Sequence, residues 1–79
     1  MTKNEFIKEI SEFCEFENND YTIDTELKTI DGYDSLAVLS MIAFIDDNFS
    51  TQLTADQFSE LTDFNSLIQT IGEEKFEDG

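Results

Sequence analysis

The chain contains no histidine, no arginine and a single cysteine, and these absences exclude several classes of function. Without histidine or arginine no side-chain pair suits general acid–base catalysis, so an enzyme is the least supported class. Cys14 alone forms no intramolecular disulfide, and its helical spacing with Ile7 and Ile10 indicates core packing rather than a reactive thiol. No apolar run approaches the ~20 residues of a membrane span, and the N-terminus is too polar for a signal peptide. We therefore expect a protein of the reducing cytoplasm.

Positive charge is scarce as well. The net charge is −15, because 19 acidic residues face only four lysines. Nucleic-acid binding and adhesion to an anionic membrane both depend on clustered Lys and Arg, so we expect neither. Long-range attraction instead favours basic protein partners for a monomer. The alternative is that the acids only keep a small protein soluble.

The apolar pattern predicts one all-α domain over residues 1–79. We expect three longer helices plus one short helix, in a four-helix bundle with a long loop between the first two helices. Proline and strand-like alternation are both absent from the sequence. Residues 21–33 contain apolar side chains without a clean period, which predicts a loop attached to the core, with one short helical turn.

Helix starts are expected where a capping residue precedes an apolar run. The predicted N-caps are Thr2, Asp34, Thr54, and Thr62 or Asp63. The first helix should fade near Phe16, since turn formers occupy residues 18–20. The longest helix should run from about Ser35 to Asn48, and Gly72 should end the last one. Residues 72–79 are predicted to fray.

The longest helix is apolar over much of its circumference. Its main predicted stripe is Leu36, Leu39, Ile42, Ala43 and Phe49. Met41, Phe44 and Ile45 widen that stripe. Asp46 and Asp47 stand in the last turns, where the helix dipole disfavours negative charge, so either they serve a partner or they are solvated acids.

Ser35 occupies the first helical position after Asp34. The first N–H groups of a helix lack intrahelical partners and favour an anion, so a phosphate ester on Ser35 gains of order 0.3–1 kcal/mol there. Without a neighbouring base the hydroxyl is a poor nucleophile, and it is better placed to be modified by another enzyme. The alternative is that Asp34 and Ser35 are simply a capping pair.

The run Gly32-Tyr33-Asp34-Ser35-Leu36, followed by Ala37-Val38-Leu39 and later by Asp46-Asp47-Asn48-Phe49, resembles the acyl carrier proteins. The resemblance spans nearly the whole chain, in the order helix, long loop, Asp-Ser-Leu, long helix, short helix, final helix. It implies an acyl-carrier-type bundle with covalent 4′-phosphopantetheine on Ser35, donated by coenzyme A through a phosphopantetheinyl transferase. The arm's thiol would carry an acyl group as a thioester. No resident metal is implied.

The resemblance also implies a partner surface. A transferase would read Asp34 and Leu36 beside the serine. The first half of the helix, Ala37-Val38-Ser40-Met41, is expected to be exposed and nearly uncharged. Acyl-loading and acyl-transferring enzymes are therefore expected to dock through apolar contacts and two acids. The remaining predicted docking residues are Val38, Met41, Asp46 and Asp47.

An acyl pocket inside the bundle is a further implication. Its predicted lining is Leu39, Ile42, Phe49, Phe58, Leu61 and Ile68, all of which have a simpler role as ordinary core. Phe58 stands where the family often has a smaller side chain, and a buried Phe fills volume that an acyl chain would otherwise occupy. We therefore expect a short cargo, or one that stays outside the bundle.

Tyr33 and Ala37 depart from the primary fatty-acid carriers. That family often has a small residue before the aspartate and an acid two places after the serine. The departures favour a specialised acyl-transfer pathway over fatty-acid biosynthesis. An aminoacyl or peptidyl carrier stays open, as does an unmodified acidic adaptor or nucleic-acid mimic.

Overall fold

The computed structural model describes residues 1–17 and 20–77. Within these ranges there are four α-helices and no β-strand: α1 (Lys3–Phe13), α2 (Ser35–Phe49), α3 (Ala55–Ser59) and α4 (Phe64–Ile71). Two single 3-10 turns occur at Leu27–Thr29 and Glu73–Lys75. The predicted all-α bundle of three longer helices and one short helix is confirmed. The turn expected at residues 18 and 19 lies outside the described residues.

Side-chain caps begin the helices as predicted. At α1, Thr2 Oγ1 accepts a hydrogen bond from the Glu5 N–H at 3.1 Å, and Glu5 Oε1 accepts one from the Thr2 N–H at 2.9 Å. Thr54 takes part in the same kind of reciprocal box at α3. Of the two candidates at α4, Asp63 is the cap, and its Oδ1 accepts from the Ser66 N–H at 2.9 Å. These bonds join residues three apart, which is why local sequence predicts them.

Phenylalanine rings occupy the centre of the core. Phe6 is fully buried, and its ring centroid lies 6.0 Å from that of Phe44, 5.7 Å from Phe49 and 5.3 Å from Phe76. Aromatic pairs at such separations contribute about 0.5–1.5 kcal/mol beyond the area they bury. A chain of 79 residues thus gains a large buried surface from few side chains.

The loop between α1 and α2 is attached to the start of α4. Leu27 is fully buried, and its N–H donates to the Thr62 carbonyl at 2.9 Å. The Asn65 N–H donates to the Ile23 carbonyl, also at 2.9 Å. The predicted short turn forms at Leu27–Thr29. Both backbone and side chains therefore hold this loop in place.

The face that α2 buries differs from the predicted one. Its buried residues are Ala37, Met41, Phe44 and Ile45. Leu36 and Leu39, which begin the predicted stripe, are 73% and 58% exposed. On a helix that is apolar nearly all round, periodicity offers two stripes of similar quality. Packing against α1 and α3 selects the second of them.

The chain after α4 does not fray as predicted, at least up to residue 77. Phe76 is 8% exposed, and its ring centroid lies 4.9 Å from that of Phe49. The Glu77 N–H donates to the Met1 carbonyl at 3.0 Å, and the N-terminal ammonium pairs with Glu77 Oε1 at 2.9 Å. One buried aromatic side chain overrides the polar local sequence. Residues 78 and 79 lie outside the described residues.

Candidate functional site

Ser35 is the first residue of α2, and its side chain is exposed. The preceding Asp34 caps the helix, with its Oδ1 accepting from the Ala37 N–H at 2.9 Å. Among residues 1–17 and 20–77 the Ser35 hydroxyl has no hydrogen-bond partner. It is therefore accessible to the active site of another enzyme. The capping interaction and the exposed hydroxyl coexist, because Asp34 alone makes the cap.

The turn before Ser35 depends on Gly32. Its φ of +89° lies in a region that side-chain-bearing residues rarely adopt. The ring of Phe16 would lie 3.7 Å from an added Cβ, an ordinary contact, so the backbone angle rather than space requires glycine. The Tyr33 N–H then donates to the Ile30 carbonyl at 3.1 Å, and Asp34 is extended. This turn sets the direction in which the chain enters α2.

A pocket of about 320 Å³ opens beside Ser35, between the α1–α2 loop, α2 and α3. Its volume is at the lower end of the range typical of small-molecule sites. The apolar part of its lining is Val38, Leu39, Ala55 and Phe58. Ser35 itself belongs to the lining, so a group attached to its hydroxyl starts at the pocket.

Two of the four polar residues that line the pocket, Lys28 and Tyr33, come from the loop, and the other two are Ser35 and Ser59. Lys28 directly follows the buried Leu27, and within the described part of the chain its ammonium forms no ion pair. Tyr33 is half-buried, and this burial raises the pKa of its phenol, so the hydroxyl is protonated at neutral pH. The pocket therefore offers one cation and one neutral hydrogen-bond donor next to the serine.

The predicted acyl-pocket residues divide into two groups. Leu39 and Phe58 line the pocket beside Ser35. The other four, which pack in or against the hydrophobic core and do not line this pocket, are Ile42, Phe49, Leu61 and Ile68. Sequence reasoning missed Lys28 altogether, since nothing in the irregular pattern of residues 21–33 indicates that it lies near Ser35.

The predicted partner surface needs a correction. Met41 is fully buried, so it is not available to a partner, and Val38 is half-buried. Leu36 and Leu39, one helical turn apart, are the exposed apolar side chains next to Ser35. Ala37 is 5% exposed, so its lack of charge follows from packing. The expected exposure of the first half of α2 was therefore wrong at Ala37 and Met41, whereas Val38 and Ser40 are half-buried.

The acidic end of α2 borders a second pocket, of about 520 Å³. Asp46 and Asp47 are exposed there, and Phe13 of α1, 54% exposed, also lines the pocket. Asp46 is eleven residues from Ser35 along the helix, which corresponds to about 16 Å. This pocket is therefore separate from the serine site.

Other reactive chemistry is scarce in the part of the chain that the structure describes. Cys14 is half-buried, and burial raises the pKa of its thiol to about 11, so the thiol is protonated at neutral pH. No group of three His, Cys, Asp or Glu side chains within residues 1–17 and 20–77 is arranged to hold a metal ion. In the same residues no helix combines the length and the apolar character that crossing a membrane requires.

No protein-family model, no curated protein and no solved structure matches this chain. The resemblance to acyl carrier proteins accordingly stays a prediction, based on the run from Gly32 to Leu36 and on the order of the helices. The structure adds the chemical setting of the serine. That setting is an exposed hydroxyl at the start of α2, with a pocket of mixed polarity beside it.

Proposed function

We propose that this protein is a carrier, which holds acyl groups as thioesters on a 4′-phosphopantetheine arm attached to Ser35. The observation that supports this most directly is the exposed, unpartnered Ser35 hydroxyl at the first residue of α2. The adjoining pocket gives an attached group a surface to rest on. On this proposal the protein is a substrate of other enzymes and not itself an enzyme.

The start of α2 suits an attached phosphodiester. The Asp34 carboxylate accepts a hydrogen bond from the Ala37 N–H, which leaves the N–H groups of Ser35 and Leu36 without intrahelical acceptors. A phosphate at that end also aligns favourably with the helix dipole, by about 0.3–1 kcal/mol. The residues present are therefore compatible with a phosphopantetheine arm at Ser35.

Attachment requires an external enzyme. The chain has no histidine, and no described side chain is placed to take the Ser35 proton, so a base of the transferase has to do so. In that transfer a bond forms between Ser35 Oγ and phosphorus, the pyrophosphate bond of coenzyme A breaks, and the adenosine bisphosphate leaves. Once bound, the arm supplies the thiol that forms the thioester.

The exposed side of α2 is the docking surface in this proposal. Leu36 and Leu39 supply an apolar contact beside the serine, and Asp46 and Asp47 supply negative charge further along. Such a surface fits partners with an apolar patch and a basic edge. Because Ala37 is buried, its lack of charge no longer supports a specialised pathway, whereas Tyr33 still does.

The proposal is tested by incubating the protein with coenzyme A, Mg²⁺ and a broad-specificity phosphopantetheinyl transferase. We expect intact-protein mass spectrometry to show the gain of one phosphopantetheine, and Ser35→Ala to abolish it. Ser59→Ala is the matched control, since Ser59 is an exposed serine that lines the same pocket. Absence of any gain with several transferases would instead favour an unmodified acidic adaptor.

A further inference from the structure

Lys28 is the one lysine in the lining of the pocket beside Ser35. Two of the other lysines are engaged elsewhere: Lys3 pairs with Glu73, and Lys75 donates to Thr51 Oγ1 at 2.6 Å. Lys8 is exposed on α1 and does not line the pocket. In a chain of net charge −15, this arrangement places a cation next to the proposed attachment point.

The position of Lys28 is well defined by its neighbour. Leu27 is fully buried, and its N–H donates to the Thr62 carbonyl. The 3-10 turn Leu27–Thr29 is therefore anchored to the segment just before α4. Lys28 projects from that anchored turn, and its long stem can lie along apolar lining while the ammonium meets a ligand. The backbone at Lys28 is thus fixed beside the pocket, and the exposed side chain extends from it.

The pocket is also small. Its volume of about 320 Å³ is at the lower end of the range for small-molecule sites. Phe58, which is 2% exposed, lines the pocket, whereas the buried Leu61 and Ile68 do not. A chain of a few carbons with a terminal group fits this space.

We propose that this pocket receives a short acyl cargo that ends in a carboxylate, and that Lys28 binds that carboxylate. The inference rests on the proposed carrier function. Val38, Leu39 and Phe58 would contact the methylene groups of the cargo, and the protonated Tyr33 hydroxyl can donate a hydrogen bond. The same cation repels an ammonium group, so aminoacyl cargo is disfavoured.

Charge provides a test with a definite sign. A carboxylate added to a chain of net charge −15 increases self-repulsion and should destabilise the fold unless a cation compensates for it. Succinyl and butyryl groups have similar length and differ at the end, where one has a carboxylate and the other a methyl. Loading Ser35 from succinyl-, butyryl- and β-alanyl-coenzyme A, and from coenzyme A itself, gives four forms whose thermal midpoints can be compared.

In the unmutated protein we expect the succinyl form to melt roughly 2–5 °C above the butyryl form. Lys28→Gln should abolish or reverse this difference. Lys8→Gln, which removes the same charge from an exposed site outside the pocket, should preserve it. The β-alanyl form, which ends in an ammonium group, should lose no more stability from Lys28→Gln than from Lys8→Gln.

Three results would overturn the inference. The first is equal midpoints for the succinyl and butyryl forms. The second is a β-alanyl form that loses more stability from Lys28→Gln than from Lys8→Gln, which would show that Lys28 does not act through a cargo carboxylate. The third is a Lys28→Gln substitution that lowers the thermal midpoint of the arm-only form as much as that of the succinyl form. This would show that Lys28 binds the arm's phosphate instead. Intact mass reports loading in each sample, so failure of the carrier function itself is detected separately.

Discussion

At the scale of single residues, Leu39 and Met41 show which face of α2 is buried. Leu39 is 58% exposed and lines the pocket beside Ser35, whereas Met41, two positions later, is fully buried. Residues two apart on a helix lie on different faces, so only one of the two can point into the core. On the carrier proposal, Leu36 and Leu39 rather than Met41 then form the apolar part of the partner surface.

Alanine substitutions at these two positions should differ sharply in stability. Met41→Ala is expected to lower the free energy of unfolding by about 2–5 kcal/mol, because it opens a cavity in the core. Leu39→Ala should change it by less than about 0.5 kcal/mol, since the side chain is mostly solvated. Urea unfolding followed by circular dichroism measures both, and similar losses at the two positions would mean that α2 buries a different face.

The candidate site could be predicted only in part, also for residue-scale reasons. Asp34 and Ser35 are identifiable because the cap bond from the Ala37 N–H to Asp34 joins residues three apart. Lys28 is not identifiable, because the interactions that place it beside the pocket are those of Leu27. That residue is buried, and its N–H donates to the carbonyl of Thr62, far along the chain.

At the scale of elements, the 3-10 turn Glu73–Lys75 closes the fold. It follows α4 directly and brings Phe76 onto the rings of Phe6 and Phe49. Glu77 then bonds to Met1, so the two ends of the described chain meet. The polar composition of residues 72–79 predicts fraying, and a single buried ring outweighs it.

Removing that ring should therefore be costly. Phe76→Ala is expected to lower the free energy of unfolding by about 3 kcal/mol, a large fraction of the stability of a small domain. The neighbouring exposed Glu74 provides the control, and Glu74→Ala should stay within about 0.5 kcal/mol of the parent. Guanidinium unfolding at constant m-value measures both variants. A Phe76→Ala protein as stable as the control would show that this turn does not contribute to the fold.

At the scale of the whole molecule, charge opposes compactness. The principal extents are 28 × 25 × 20 Å, and the net charge is −15. At 0.01 M salt the Debye length is about 30 Å, so every carboxylate interacts with all the others across the molecule. The ion pairs of Met1 with Glu77 and of Lys3 with Glu73 are exposed and offset little of this repulsion.

Salt should therefore stabilise this protein. Raising NaCl from 0.01 to 0.5 M is expected to increase the thermal midpoint by several degrees, because screening reduces the net repulsion more than it weakens two exposed ion pairs. Calorimetry at matched pH measures the shift. Tetramethylammonium chloride at equal ionic strength should act alike if screening is the cause, and a midpoint that falls with salt would contradict the argument.

The sequence by itself determined the helix starts, the net charge, the all-α class and the position of Ser35 at a helix mouth. Each of these depends on composition or on bonds between residues three or four apart. Tertiary structure alone decided which face α2 buries, that the Phe76 side chain is buried in the core, and that Lys28 shares a pocket with Ser35. These features depend on contacts between distant parts of the chain, where several apolar side chains compete for one core and packing selects among them.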